Sequence, residues 1–402
     1  MNGVLIAAGG ASWESAALGF LESSRDFCLS RRCVDVADLL AAAQTGDAVT
    51  ALVSPDAPGF DADTVYRLVQ AGVHPIAIEA DSRRCAALGI STRLEVGELG
   101  QLAAHLPLRR PPPPDEPMPA GEGRIVAVWG PAGAPGRSTV ALALAAAWSD
   151  LGLDTIIADA DPYGGAIAQM LGILDEVSGL LAASRAANGG RAAEMSEHLY
   201  GISETLSVLT GLPRPDLWAQ VRAGAAELVL QQLRSEAAIS VIDCGFCLEQ
   251  PESFESGAPR RNQLTVQSLE AADEIIAVGR ADPVGLTRLV RGLHDLQAVI
   301  PTADVTVVIN MTRPTIGWSD LEIAATVERL TGHRSAAFLP LDQGAVDAAL
   351  ISGRLLGEAS ADSRLTRAVA RLAHEWSTQH RGVGSMLAAS TRPGGSFGVK
   401  YS

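Results

Sequence analysis

Residues 124–139 read RIVAVWGPAGAPGRST, an order of residue types that could hold a phosphate group. Ile125–Val128 is a short apolar run expected as a buried strand, and Gly130–Gly136 is a loop rich in glycine and proline. Arg137-Ser138-Thr139 then opens an alanine-rich run, VALALAAAW, expected as a buried helix. A loop feeding a helix N-terminus aims backbone N–H groups and the positive end of the helix dipole at an anion, and a hydroxyl there can reach Mg²⁺. Against the pattern G-x-x-x-x-G-K-[ST], Pro131 stands at the first glycine, Gly136 at the second, Arg137 at the lysine and Ser138 at the hydroxyl. Arginine for lysine is not a neutral exchange, because a planar guanidinium cannot replace a compact ammonium without rearrangement.

Further carboxylates fall where such a loop would need them. Thr155–Ala158 is a strand running into Asp159-Ala160-Asp161-Pro162-Tyr163-Gly164-Gly165. Carboxylates at the C-terminal end of a strand beside a phosphate loop are placed for metal and water, since open α/β sheets bind ligands at that edge. Ile239–Ile242 leads into Asp243-Cys244-Gly245, and a hydrophobic strand ending in Asp can hold the Mg²⁺ shell. Val208–Thr210, Ile275–Val278, Val305–Ile309 (ending in Asn310) and Ala337–Leu339 (before Pro340-Leu341-Asp342) are further strands, and Leu365–Trp376 is a closing helix.

These elements make residues 124–376 one α/β domain. Ahead of it, residues 1–106 alternate short apolar runs with amphipathic ones: strands at Val4–Ala8, Phe27–Ser30, Val49–Val53, Pro75–Glu79 and Arg93–Val96, and helices at Ser12–Ser23, Val36–Gln44, Ala62–Gln70, Arg83–Leu88 and Leu99–Leu106. That alternation predicts a small, parallel, doubly wound domain. Residues 107–123, with four consecutive prolines, read as an extended linker, and the Ser/Gly/Pro-rich segment 377–402 reads as a disordered tail.

The chain of 402 residues has a net charge of −15 and a single lysine, Lys400. The charge argues against nucleic acid as a partner, because such binding rests on cations neutralising phosphates. An odd, sparse set of five cysteines reads as reduced and cytoplasmic. No run reaches the ~20 apolar residues a transmembrane helix needs, and the N-terminal apolar run lacks the preceding basic residue of a signal peptide. Cys244 and Cys247 form a C-x-x-C without the second pair that zinc would need, so the spacing reads as coincidence. The seven histidines show no ligand spacing.

The order of phosphate loop, D-A-D-P, strand plus Asp, strand plus Asn, then L-P-L-D resembles the MinD/ParA group of P-loop ATPases over nearly all of 124–376. The resemblance implies ATP or ADP with Mg²⁺ as ligands. It implies that Gly133, Gly136, Arg137, Ser138 and Thr139 cradle phosphate and that Ser138 and Asp243 hold Mg²⁺. It further implies that Asp161 orients the attacking water with Asp159 in the same switch, and that Asn310, Pro340 and Asp342 contact adenine. Gly344–Leu356 resembles the helix that follows in these proteins. The family's loop reads K-G-G-x-G-K-[ST]-T. This chain has Ala132 at the first lysine, and Pro135 removes one N–H from the cradle, so nucleotide binding is expected to survive better than hydrolysis. Ser54-Pro55-Asp56-Ala57-Pro58-Gly59-Phe60-Asp61 is similar to the D-x-x-M-P-G-x-D loop of receiver domains, but with Ser54 at the phosphoacceptor and Ala8-Gly9-Gly10 at the acidic pair. That departure implies a pseudo-receiver. A pseudo-receiver ahead of a MinD-like ATPase resembles CpaE-like proteins of Tad (Flp) pilus assembly and septum-site regulators. The layout implies a cytoplasmic, ATP-binding assembly or localisation factor, an ATP-dependent homodimer, protein partners in a pilus or division machine, and recruitment by them to the membrane's inner face or a cell pole. A partitioning ATPase and a nucleotide-free scaffold are the alternatives.

Overall fold

A computed structural model of the protein describes residues 1–106, 123–133, 136–174, 177–250 and 259–380. In the first part, β1 (Asn2–Ala7), α1 (Glu14–Ser23), β2 (Phe27–Arg32), α2 (Val36–Ala43), β3 (Thr50–Val53), α3 (Ala62–Gln70), β4 (His74–Ile78), α4 (Ser82–Ala87) and β5 (Thr92–Leu94) alternate strictly. All pairings are parallel, in the order β2-β1-β3-β4-β5. This is the flavodoxin-like order of a doubly wound sheet. The central strand β3 is buried at every position, as a strand covered on both faces must be. Asp35, Asp61 and Asp81 cap α2, α3 and α4 through their carboxylates, which explains where each helix starts. Residues 96–105, expected as an α-helix from 99, wind as a 3₁₀ helix behind a Glu95/Glu98 capping box.

The second part contains β6 (Arg124–Trp129), α5 (Arg137–Asp150), β7 (Thr155–Ala160), α6 (Ile167–Met170), α7 (Gly179–Asn188), β8 (Tyr200–Gly201), β9 (Leu206–Leu209), α8 (Ala223–Glu236) and β10 (Ile239–Cys244). It continues through α9 (Gln263–Glu270), β11 (Glu274–Arg280), α10 (Pro283–Val299), β12 (Val305–Thr312), α11 (Asp320–Thr331), β13 (Ser335–Pro340), α12 (Gln343–Ser352), α13 (Leu356–Ala359) and α14 (Arg364–Gln379). The sheet order is β13-β12-β11-β6-β10-β7-β9-β8, and only the β8–β9 edge pair is antiparallel. Apolar clusters fill both faces. The alanine-rich α5 packs against the sheet and α14, where Trp148 and Trp376 meet with ring centroids 4.8 Å apart. α14 runs to Gln379, so the segment expected as a tail from 377 begins in helix. The proline-rich stretch apart from Gly123, the rest of the tail, Ala134 and Pro135 lie outside the described residues.

The two sheets are joined by contacts of α3 and α4 with α7, α8 and α9. The Asn188 side chain donates to Asp61 Oδ2 (2.8 Å) and accepts from the Asp63 N–H (3.2 Å). Arg84 donates to the Gly189 carbonyl (2.9 Å) and Gln263 to the Tyr66 hydroxyl (3.1 Å). Gly224 allows α8 to approach α3: a Cβ there would lie 2.4 Å from the Ala62 carbonyl oxygen. Among the described residues no helix is long and apolar enough to cross a membrane.

Candidate functional site

Strand β6 ends at Trp129 and the chain turns through Gly133 (φ +72°) and Gly136 (φ +92°) into α5. Both glycines adopt backbone that L-side chains rarely take. A Cβ on Gly136 would also sit 2.4 Å from Asn310 Nδ2, so the loop closes against the end of β12 only with glycine here. Because β10 lies between β6 and β7 in register, Asp243 and Asp159 face each other across neighbouring strands. The carboxylates therefore converge at the C-terminal edge, beside the start of α5.

Asp243 is 1% exposed, and neither carboxylate oxygen accepts a hydrogen bond of normal geometry. Burial, reinforced by the charges of Asp159 and Asp161, pushes its pKa up to about 8, while the Ser138 hydroxyl and Arg137 act in the opposite direction. A buried carboxylate left this way is costly unless something positive pairs with it. Asp243 and the Ser138 hydroxyl therefore fit a Mg²⁺ ion, which prefers hard oxygen donors and keeps much of its water. Asp159 is also 1% exposed but is engaged by its own loop: it accepts from Asp161 N–H (3.3 Å) and Ile167 N–H (3.1 Å). Gly165 and Gly211 lie so close to that carboxylate that a Cβ on either would come within 3 Å of it. Asp159 thus shapes the segment that presents Asp161.

Arg137 donates to the Gly130 carbonyl (2.8 Å) and lies 3.7 Å from Asp161 Oδ2. Its guanidinium also sits 5.8 Å from the Phe246 ring centroid, and the Phe246 ring packs on Tyr163 at 4.7 Å. The Arg261 guanidinium lies over the Tyr163 ring, 4.1 Å from its centroid. Tyr163 donates to Asn262 Oδ1 (2.8 Å), and Asn262 donates to the Glu249 carbonyl (2.6 Å). The loops after β7 and β10 are thereby tied to the phosphate loop and to α9. Phe246, Arg261 and Asn262 carry no sequence signal for this role, although Tyr163 stands inside the D-A-D-P-Y run.

Behind the loop, Gly136, Thr139, Asn310, Pro340, Leu341 and Asp342 line a pocket whose rear wall includes Leu365 and Val369 of α14. The backbone at Met311 is left-handed (φ +59°), and its N–H bonds the Asn310 side chain (2.8 Å). All sequence-expected site residues are thus within one edge of the second sheet. Cys244 is buried and unpaired, and Cys247 accepts a hydrogen bond from Asn262 (3.2 Å). Among the described residues no group of three or more His, Cys, Asp or Glu side chains is arranged to hold a metal.

No family model matches the sequence, and no curated protein matches it. Solved structures do match. MinD from Pyrococcus horikoshii, a septum site-determining protein complexed with Mg-ADP, aligns with 65% of this chain and 99% of its own at 17% identity and a TM-score of 0.51. The cell division ATPase MinD of Pyrococcus furiosus covers 64% of this chain and 99% of its own (19% identity, TM-score 0.52). The second domain has the MinD/ParA P-loop ATPase fold. A ParA family ATPase from Chlorobium tepidum is similar to the same degree, covering 63% of this chain and 98% of its own (17% identity, TM-score 0.53). In this MinD/ParA-like domain the loop after β6, the carboxylates of β7 and β10, and the β12–β13 pocket form one contiguous site.

Proposed function

We propose that the chain is an ATP-binding regulatory switch, CpaE-like in layout, that places or helps assemble a cell-surface (Tad/Flp pilus) or division apparatus. The observation that carries the nucleotide reading is Asp243: a carboxylate buried among Asp159 and Asp161, with the Ser138 hydroxyl at the head of α5 beside it and no cation paired to it at hydrogen-bond distance. Gly133 and Gly136 let the backbone approach the phosphates, and Arg137 and Ser138 meet them at the helix N-terminus. Asn310, Pro340 and Asp342 face the base, and Asp161 orients water. Bound Mg²⁺ supplies charge neutralisation of the phosphates.

Hydrolysis is proposed to be weak or lost. Ala132 stands where the related loop has a lysine, the sole lysine of the chain is Lys400, and Arg137 is engaged by Gly130 and Asp161. Removing a cation from a phosphoryl-transfer site costs orders of magnitude in rate. The nucleotide then sets a dimerisation or partner-binding equilibrium rather than driving turnover. The flavodoxin-like first domain and the net charge of −15 favour protein partners over DNA.

Calorimetric titration of Mg-ATP and Mg-ADP into the full chain and an Arg137→Ala variant tests this reading. Micromolar binding that Arg137→Ala abolishes is the expected result. Absence of binding by the unaltered protein rejects it, and salt-sensitive retention of DNA favours a partitioning role instead.

A further inference from the structure

We propose that Arg288, on α10, is a cation supplied within the same chain to the phosphate loop, recognising the terminal phosphate of ATP in place of the lysine absent at Ala132. The proposal rests on the nucleotide reading above. Its evidence is the way α10 sits on the loop. Strand β11 pairs with β6, so α10, which starts three residues beyond β11, begins at the same sheet edge from which the phosphate loop leaves. Arg288 and Gly292 are one turn apart on α10 and share a face. Gly292 is packed so tightly that a Cβ would lie 2.9 Å from Pro131 Cβ and 3.1 Å from the Trp129 ring. Pro131 occupies the first glycine position of the loop, and the glycine on α10 gives the helix room to lie against it.

One turn earlier the guanidinium of Arg288 rests directly on Gly133: a Cβ there would come 1.9 Å from Nη1 and 3.1 Å from Cζ. A helical side chain leans toward the helix N-terminus, which here is the ligand edge of the sheet. Gly133 adjoins Ala132, so the charge arrives next to the vacated position.

Among the described residues Arg288 makes no ion pair and no hydrogen bond, unlike Arg137, whose guanidinium is held by Gly130 and Asp161. Its helical neighbours three and four residues away are Gly285, Val284, Arg291 and Gly292, so no carboxylate stands one turn from it on α10. Arg288 is exposed, and in a chain of net charge −15 a guanidinium lying against a phosphate loop without an acidic partner is complementary to an added anion. Arginine suits the task because its fork can bond two phosphate oxygens at once.

The decisive measurement is equilibrium binding of Mg-ADP and of the slowly hydrolysed analogue Mg-ATPγS to the full chain, to Arg288→Ala, to Arg288→Lys and to Arg291→Ala. Arg291 is exposed on the same helix, as Arg288 is, but does not lie against Gly133, and serves as the control for surface charge. The expected result is a loss of ATPγS affinity of order tenfold to a hundredfold in Arg288→Ala, the range of a charge-assisted hydrogen bond. ADP affinity stays unchanged, Arg288→Lys recovers part of the loss, and Arg291→Ala matches the unaltered protein. Equal weakening of both nucleotides, or no change, in Arg288→Ala overturns the assignment while leaving the ATP-binding reading intact. Failure of the unaltered protein to bind either nucleotide overturns both.

Discussion

Asp243 sets how the site responds to pH. Its pKa rises from an ordinary 3.8 to about 8, first through burial and then through Asp159 and Asp161, and that of Asp159 rises to about 6 by burial. The folded chain therefore keeps protons that the unfolded chain gives up above about pH 4, and each such group lowers stability as pH climbs toward its folded value. Without Mg²⁺ and nucleotide, the urea midpoint is expected to fall between pH 6 and pH 8, and Asp243→Asn flattens that fall. Mg²⁺ requires the carboxylate, so Mg-nucleotide affinity rises over the same interval with release of a proton. Calorimetry in buffers of different ionisation enthalpy measures that release. Asp243 was legible from its place at the end of the hydrophobic run Ile239–Ile242. Its isolation was not, because burial depends on the neighbouring strands β6 and β7.

Helices decide how firmly the site is walled. α14 brings Leu365 and Val369 to the pocket at the ends of β12 and β13 and is anchored by Trp376, whose indole N–H donates to the buried carboxylate of Glu274. Glu274 is 4% exposed and also accepts from the Thr306 hydroxyl. Trp376→Phe keeps an aromatic ring against Trp148 but withdraws the donor from a buried acceptor, which costs about 1–3 kcal/mol. A lower urea midpoint, with nucleotide affinity weakened through the displaced wall, is the expected outcome. The helix itself was readable as Leu365–Trp376, and the structure adds its start at the Ser363 cap, whose hydroxyl accepts from Thr366 N–H at 2.9 Å. Its partner Glu274 opens β11, some hundred residues earlier, and no local pattern links the two. The stack of Arg137, Phe246, Tyr163 and Arg261 was hidden for the same reason: its members come from four separate segments.

At the scale of the molecule, Asn188 joins the two α/β units by bonding both Asp61 and the backbone of Asp63. Asp61 is at once the cap of α3 and an acceptor across the boundary. Asn188→Ala leaves the cap intact and removes the crossing bonds. Hydrogen exchange is expected to rise in α3 and in the C-terminal turn of α7, with α5 unchanged. Uniform exchange across both units would count against this docking. The contacts continue from Tyr66 to Gln263 on α9, beside the Arg261 and Asn262 that hold Tyr163. The first unit therefore touches the element that braces the loop after β7.

The sequence by itself determined two doubly wound units, because the alternation of apolar runs and amphipathic segments is local and each period can pack only as strand or helix. It also determined which residues reach the ligand edge, since a carboxylate or amide directly after a buried strand must emerge at that strand's C-terminal end. Tertiary structure alone decided the environment of those residues. The burial of Asp243, the engagement of Arg137 and the approach of Arg288 to Gly133 arise where segments far apart in the chain meet. Burial, charge pairing and close contact are properties of such meetings, and no spacing within a single segment encodes them.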